Sequence, residues 1–288
     1  MSLTQKLLRV DISLASGNFQ GGGNSASLTG LRTIAKIVKA GGASMGGAQI
    51  TVFGMTLSKM NQLTQYGLAE TLIGKNTVTV FAGEDPNAMS MVFKGTILTA
   101  FMDGNSAPQV GFRINAAAGL FEAAKPAEPT SMKGSADAAQ MMERQAKAMG
   151  LQFENSGIDT KLQNPYFWGA ARHQAKCIAK AAGMEWIIDC DKLAIWKPGQ
   201  PREGDTIEYA PGKGLVGYPT FNSKGVVLTT EFNPTLKYGS KIKVKSDITP
   251  ACGEWVVYRL EYDLASMLPR GPWFCVIDAA RPGQVPVA

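Results

Sequence analysis

Histidine is almost missing from this sequence: His173 is the single one in 288 residues. That excludes His-rich metal sites and paired imidazoles for acid and base roles, since imidazole is the side chain that titrates near neutrality and the commonest metal ligand. Charge is scarce too. Charged residues make up 18% of the chain against a usual ~25%, so an otherwise ordinary composition, 45% hydrophobic, carries an under-charged surface. The four cysteines, Cys177, Cys190, Cys252 and Cys275, contain no CxxC pair. Neither a zinc ribbon nor a thioredoxin-like motif can be built from that spacing, and reduced thiols are the simplest reading. Long apolar runs are absent as well. The uncharged stretch Ala40 to Ser58 is broken by Gly41, Gly42, Gly46 and Gly47, whereas a spanning helix needs about 20 apolar residues; no membrane span is expected. The first ten residues carry Lys6 and Arg9 without a signal-peptide core, so no export signal is expected either.

What is present is length, glycine and a mild positive charge. A chain of 288 residues is long enough for two domains, or three small ones. The net charge of +6 permits contact with nucleic acid or acidic proteins without requiring either, and the basic residues are dispersed rather than blocked.

Alternation dominates the first part. Leu8, Val10, Ile12 and Leu14 alternate with Arg9, Asp11 and Ser13, the period of a strand with one apolar face. Gly21-Gly22-Gly23-Asn24 breaks the chain, and a second strand is predicted over Leu31 to Lys39, ended by Gly41 and Gly42. Gln49 to Phe53, Thr77 to Ala82, Met89 to Met102 and Gln109 to Ala116 read as further strands, and Thr56 to Gln65 as a short helix on Leu57, Met60 and Leu63. Gly83 to Asn87 is a turn by composition, and Asp103-Gly104-Asn105 is a hairpin signal. Several strands around one short helix predict a barrel or sandwich.

The composition then shifts. Lys125-Pro126-Ala127-Glu128-Pro129 cannot continue a strand ladder and reads as a linker. Beyond it, Ser135 is expected to cap a helix with Asp137 in its first turn and Gly150 at its end. Its Ala138, Met141, Met142, Ala146 and Met149 share one face, a pattern of core packing rather than of a cofactor box or peptide groove. A second helix is predicted to open at Asn164-Pro165 and close at Gly183, with Ala171, Ala175, Ile178 and Ala182 inward and His173 outward beside Lys176 and Lys180. Trp186 to Asp189 and Leu193 to Trp196 form a hairpin signal around Cys190-Asp191-Lys192. After the Pro/Gly-rich stretch Pro198 to Gly217, β patterning returns. Ile242 and Val244 alternate with Lys241, Lys243 and Lys245; Val256, Tyr258, Leu260, Tyr262 and Leu264 alternate with the residues between them. Trp273 to Ile277 is a last strand before a loose tail with Pro282, Gly283 and Pro286. The expected segments are 1–124, β-barrel-like; 125–204, an α+β module of two helices and a hairpin; and 205–288, β-barrel-like.

The search for chemistry returns no catalytic, cofactor-binding or metal-ligating residue. Gly212-Lys213-Gly214-Leu215-Val216-Gly217 matches the dinucleotide fingerprint G-x-G-x-x-G, but Pro211 precedes it and Tyr218-Pro219 follows where a helix would have to begin. Asp189 and Asp191 flank Cys190 and are read as turn formers rather than paired carboxylates. The lone histidine permits one triad at most, and no nucleophile has a local signature. Two rivals to a structural role stay open. One is a basic β-barrel that binds nucleic acid through Lys241, Lys243 and Lys245, although no aromatic platform interleaves them. The other is a cell-wall hydrolase using Glu143 or Asp137.

One ordered series is more specific. It runs through Gly217-Tyr218-Pro219-Thr220-Phe221, Gly225 to Pro234 (GVVLTTEFNP), Gly239 to Val244 (GSKIKV), Gly253 to Tyr262 (GEWVVYRLEY) and Pro269 to Phe274 (PRGPWF). This series resembles the C-terminal part of baseplate hub proteins of contractile-tailed phages, relatives of the late control protein D group and of the hub portion of type VI secretion spike proteins. The resemblance implies a β-rich α+β fold, two tube-like β-barrel domains with a small α+β module between them. It implies a non-enzymatic homotrimer whose pseudo-sixfold ring adapts a hexameric tail tube to a trimeric central spike. The implied partners are the tail tube protein, the central spike protein, other baseplate proteins and the tape measure protein, with DNA passing through the lumen without specific binding. The implied location is the virion tail baseplate, after assembly in the host cytoplasm, and no cofactor or metal is implied. The secretion-system relatives continue into a β-helical spike; no such repeats precede Ala288, so a separate spike protein is expected. Nothing resembles the lysozyme fused to some hubs.

Overall fold

The computed structural model describes residues 4–15, 18–19, 22–42, 44–64, 76–105, 107–120 and 126–284. Gly21, Gln65, Lys125 and Pro286, which the sequence places in a break, a helix end, a linker and a tail, lie outside them. The chain forms two compact units: Met1–Val38, Gly46–Phe121 and Glu261–Phe274 make the first, and Lys39–Met45, Glu122–Leu260 and Cys275–Ala288 the second.

The first unit is a sheet built on alternation. Its strands are β1 (Leu7–Ser13), β2 (Ser25–Leu28), β3 (Thr33–Lys39, of which the last residue belongs to the second unit), β4 (Gly47–Phe53), β5 (Thr77–Gly83), β6 (Ser90–Asp103) and β7 (Gly111–Ala117). They lie in the order β3-β4-β7-β6-β5-β1-β2, each pair antiparallel. Leu8, Val10 and Ile12 are buried while Arg9, Asp11 and Ser13 are half-buried, as period two requires. The register carries apolar rows across the ladder: Ala35 faces Ile50, which faces Ile114, which faces Ala100. Such cross-strand rows are the unit of sheet stabilisation. The Asp103 signal is a true reversal, because β6 and β7 pair directly and Asp103 Oδ1 accepts from the Asn105 amide at 3.1 Å. Helix α1 (Leu57–Leu63) begins where the Thr56 hydroxyl accepts from the Lys59 amide, and it buries Met60 and Leu63. β2 had no sequence signal: Ser-Ala-Ser-Leu is too short and too polar to declare a period.

The second unit combines a layered α+β module with a barrel. The module contains β8 (Thr130–Ser131), β9 (Ser135–Asp137), α2 (Ala138–Met149), β10 (Gln152–Ser156), β11 (Lys161–Gln163), β12 (Tyr166–Phe167), α3 (Ala171–Ala182), β13 (Glu185–Asp189) and β14 (Lys192–Trp196). Met141, Met142, Ala146 and Met149 of α2 pack with Ala171, Ala175 and Ile178 of α3 over Trp186, Leu193 and Ile195 of the small sheet. Each methionine, leucine or isoleucine taken from water contributes roughly 1.5–3 kcal/mol, so the methionine stripe is core. The barrel consists of β15 (Ile207–Pro211), β16 (Gly214–Asn222), β17 (Gly225–Glu231), β18 (Lys241–Val244), β19 (Gly253–Ser266) and β20 (Trp273–Ala280), the last two of which also give residues to the first unit. The order β18-β15-β16-β17-β20-β19 closes on itself because β18 also pairs with β19. The fold is therefore β-rich α+β with a closed barrel.

Two helix starts differ from expectation. Ser135 is not the cap of α2; it sits in β9, paired with Gln163 of β11, and Asp137 caps the helix by accepting from the Ala139 and Gln140 amides at 2.8 and 3.3 Å. Likewise Asn164-Pro165 does not open α3. Asn164 turns with φ +47 and accepts from the Gly134 amide, and Tyr166–Phe167 then pair with β8. In both places strand pairing competes for the same residues and wins, deferring the helix until the ladder ends. Both helix ends are as expected, at Gly150 and Gly183 in the left-handed conformation. Among the described residues no helix is long and apolar enough to cross a membrane.

Candidate assembly surface

The residues that carried chemical suspicion do not converge. The lysines of β18 point away from the barrel core while Ile242 and Val244 point in. Lys241 lies 2.9 Å from Glu254 and Lys245 lies 3.1 Å from Glu208. Lys243 sits in register between the same two glutamates on the flanking strands. The hydrogen bond from Lys245, aided by Lys213, holds the Glu208 carboxyl below its ordinary range. A strip of cations interleaved with carboxylates is a cross-strand charge ladder, not a row of phosphate contacts. The glycine motif forms the tight turn from β15 into β16, with Gly212, Gly214 and Gly217 all at positive φ and no helix behind it. Glu143 pairs with Lys147 along α2 at 2.8 Å, and Asp137 is occupied as a cap. His173 is exposed, its ring 5.8 Å from that of Trp168 and its Nε2 3.6 Å from Cys177 Sγ. The cysteines are all free thiols, and among the described residues no cluster of three or more His, Cys, Asp or Glu could hold a metal.

Asp189 holds a surprise. β13 and β14 are joined by the two-residue turn Cys190-Asp191, with Cys190 at φ +57, and this aims the Asp189 carboxylate at the ammonium of Lys39 in a buried ion pair. Burial alone would raise the Asp189 carboxyl, but the charge and hydrogen bond of Lys39 outweigh it and hold it low. Burial would also lower Lys39, and Asp189 reverses that, leaving the ammonium above its usual value. Burial first, then Asp189, pushes the Cys190 thiol up to about 11, so it is protonated and unreactive at neutral pH. A second buried cation completes the network. Arg202 donates to Glu154 Oε1 from Nε and Nη2 at 3.0 and 2.8 Å and to the Tyr238 carbonyl at 3.1 Å. Lys192 reaches the other oxygen of Glu154 at 3.2 Å. Burial resists, but these cations, Arg202 foremost, keep the Glu154 carboxyl below its ordinary range. Each of these charges has a partner of opposite sign, and the effect of the network is to fix geometry. Sequence reasoning missed it because Lys39 lies 150 positions before Asp189 and Arg202 follows Pro201 in a stretch without period.

The first unit carries a shallow groove of about 480 Å³ lined by Lys36, Gln49, Asn115 and Glu261 among others. It is a cross-strand polar row, with Asn115 Nδ2 donating to Thr99 Oγ1 at 2.8 Å, and it holds no nucleophile. What does stand out on the surface is aromatic. Tyr166 and Trp168 are exposed before α3, and Tyr218 and Phe221 are exposed on β16. Exposed large aromatics in a sparsely charged surface are the composition of contact patches rather than of reaction centres.

Comparison with known proteins agrees with that reading. Residues 7–277 match the model of a family described as baseplate hub gp41. No curated protein matches the chain by sequence. Among solved structures, the fold is similar to the tail protein from Neisseria meningitidis MC58, with TM-score 0.64, 9% identity and coverage of 96% of this chain and 97% of that one. It is similar to the 43 kDa tail protein of prophage MuSo2 from Shewanella oneidensis, with TM-score 0.59, 12% identity and 97% of both chains covered. It is also similar to the E. coli c3393 protein, with TM-score 0.56, 9% identity, and 89% and 76% covered. That protein is described as a component of the type VI secretion system with structural similarity to the T4 bacteriophage tail proteins gp27 and gp5.

Proposed function

The chain belongs to the baseplate hub gp41 family, and on that premise we propose that it is a structural ring component of a phage tail, a homotrimer of pseudo-sixfold form between a hexameric tail tube and a trimeric central spike. The observation that carries this reading is the family match across both compact units. The closed six-stranded barrel of the second unit and the seven-stranded sheet of the first give each subunit two β bodies to set around a ring. The division into segments 1–124, 125–204 and 205–288 belongs to the same reading, as do contacts with tube, spike, tape measure and other baseplate proteins, assembly in the host cytoplasm, and passage of DNA without specific binding. Such work is done by shape and burial. Permanent interfaces of roughly 2,000 Å² or more hold a ring of this kind, and no bond is made or broken. The charge ladder on β18 removes the main support for a nucleic-acid-binding role.

Light scattering on the purified chain, alone and with its spike, tests the proposal. A threefold mass is expected; a monomer in both cases overturns it. Peptidoglycan turbidity should stay unchanged, and lysis that is lost in Glu143→Gln would replace the structural reading by an enzymatic one.

A further inference from the structure

The barrel has an unfinished wall. β16 pairs with β17 along its length but with β15 only at Ala210–Gly214 and Pro211–Leu215. From Val216 to Asn222 its outer edge carries no strand among the described residues. The register against β17 shifts from Val216–Thr229 to Thr220–Val227, so residues 217–219 form a bulge, with Gly217 turning at φ +67, Tyr218 exposed and Pro219 buried. Beyond the bulge Phe221 stands opposite Val226, which is fully buried, and therefore on the core-facing side of the sheet; yet Phe221 is 52% exposed, and Tyr218 in the bulge is 68% exposed. The apolar layer thus runs past the barrel that should cover it. Nor does a charge guard the edge. Residues 216–223 contain no charge; of the usual ways of blunting an open edge this one has the bulge and Pro219, which leave Thr220 to Asn222 as the part free to pair.

The edge is also held ready. Asn222 Oδ1 accepts from the amides of Lys224 and Gly225, both at 2.8 Å, and its Nδ2 donates to Tyr258 Oη at 2.9 Å. Gly225 is pressed so closely on β20 that a Cβ there would clash with the Ala279 carbonyl oxygen. A hairpin fixed on both sides loses little freedom on binding.

We propose that the outer edge of β16, with Tyr218 and Phe221, docks on a second copy of this chain, along the outer edge of its β2. The inference rests on the ring reading above and names the contact that closes the ring. Among the described residues β2 is the terminal strand of its order and pairs only with β1. Residues 22–31 around it carry no charge, and Ser25 and Ser27 are exposed. Two uncharged open edges on one chain are complementary without being identical. Pairing β16 with another β16 would be isologous and stop at two copies, whereas β16 on β2 is head-to-tail, the kind of contact from which rings close. Main-chain hydrogen bonds supply the affinity, and the two aromatics supply the register.

The test uses the full chain. Tyr218→Ser/Phe221→Ser should lose assembly and scatter as a single chain of 30.7 kDa, with an unchanged far-UV circular dichroism spectrum. Thr220→Cys combined with Ser25→Cys or with Ser27→Cys should, on mild oxidation, give a covalent ladder up to the ring on a denaturing gel, while each single variant and the wild type should not. If the wild type forms the ring and the serine double variant keeps the same mass, or if both cysteine pairs stay unlinked in the assembled protein, the edge contact is wrong and the ring reading stands. If the wild type itself remains a single chain at every concentration, the ring reading fails and takes this contact with it.

Discussion

The two compact units bury different things. The first unit's described polar core residues are hydroxyls, Thr33, Thr96 and Ser266, whereas the second buries two cations, Lys39 and Arg202, and two amides, Gln145 and Gln174, besides its threonines. Topology explains the contrast. A long antiparallel sheet satisfies its own backbone through the ladder, so side chains beneath it are free to be apolar. In the second unit the pieces β8, β9, β11 and β12 are two or three residues long and leave backbone groups for side chains to answer. Gln174 does this: its Oε1 accepts from the Thr130 amide at 3.2 Å and hydroxyl at 2.8 Å, and its Nε2 donates to the Glu128 and Gly169 carbonyls, both at 2.9 Å. The lesson is that hydrophobic pattern suffices where strands are long, and buried polar groups take over where connections are irregular.

This contrast can be broken most directly at its ionic centre. Asp189→Ala should cost about 3–5 kcal/mol by leaving the Lys39 charge buried and unpaired, and Lys39→Met/Asp189→Leu should recover most of it. In the first unit Phe112→Ala should lose a similar ~3–5 kcal/mol through a cavity, but with no change in pH dependence. Thermal melts between pH 5 and 10 compare all four proteins; equal pH profiles for the Asp189 and Phe112 variants would erase the distinction. Next in size, Gln174→Leu should cost up to about 3 kcal/mol, because the Thr130 amide and two carbonyls lose their partner. Less than about 0.5 kcal/mol in chemical denaturation would mean that the irregular strands satisfy themselves.

The pH dependence comes third. A thiol raised to about 11 by burial at Cys190 favours the folded state fully below the unfolded value near 9 and loses that contribution as pH rises through about 11. Lys39, also raised, acts in the same direction at high pH, while Asp189, lowered, withdraws its contribution only as pH falls below the ordinary carboxylate range near 4. The wild type should therefore lose roughly 2 kcal/mol more than Cys190→Ala between pH 9 and 11, and parallel curves would refute the assignment. The smallest effect is at a helix start. Asp137→Ala should cost about 1 kcal/mol as the true cap of α2, whereas Ser135→Ala should leave the melting temperature nearly unmoved; the reverse order would restore Ser135 as the cap.

Much of this architecture was legible beforehand. β1, β3 to β7, α1 and the β13–β14 hairpin follow from period and turn residues, because each is a local pattern long enough to repeat. β2, β8, β9, β11 and β12 were not legible, since two to four residues cannot show a period. The candidate site was half legible: the Gly217 to Phe221 segment stood out as part of an ordered series, but nothing in it says that Phe221 faces the core side of a sheet and is half exposed there.

The sequence by itself determined the class of protein. Its single histidine and few charges argued against proton chemistry, its alternation required sheets, and the ordered series from Gly217 to Phe274 pointed to a tail hub. Only the tertiary structure decided which residues meet across distance. It closed the barrel by pairing β18 with β19, matched Lys241 and Lys245 to Glu254 and Glu208, gave Asp189 to Lys39, and among the described residues left one edge of β16 open. The reason is physical: period and propensity act over a few neighbouring residues, whereas closure, charge pairing and edge exposure depend on which strand arrives alongside, and that is settled only when the whole chain has packed.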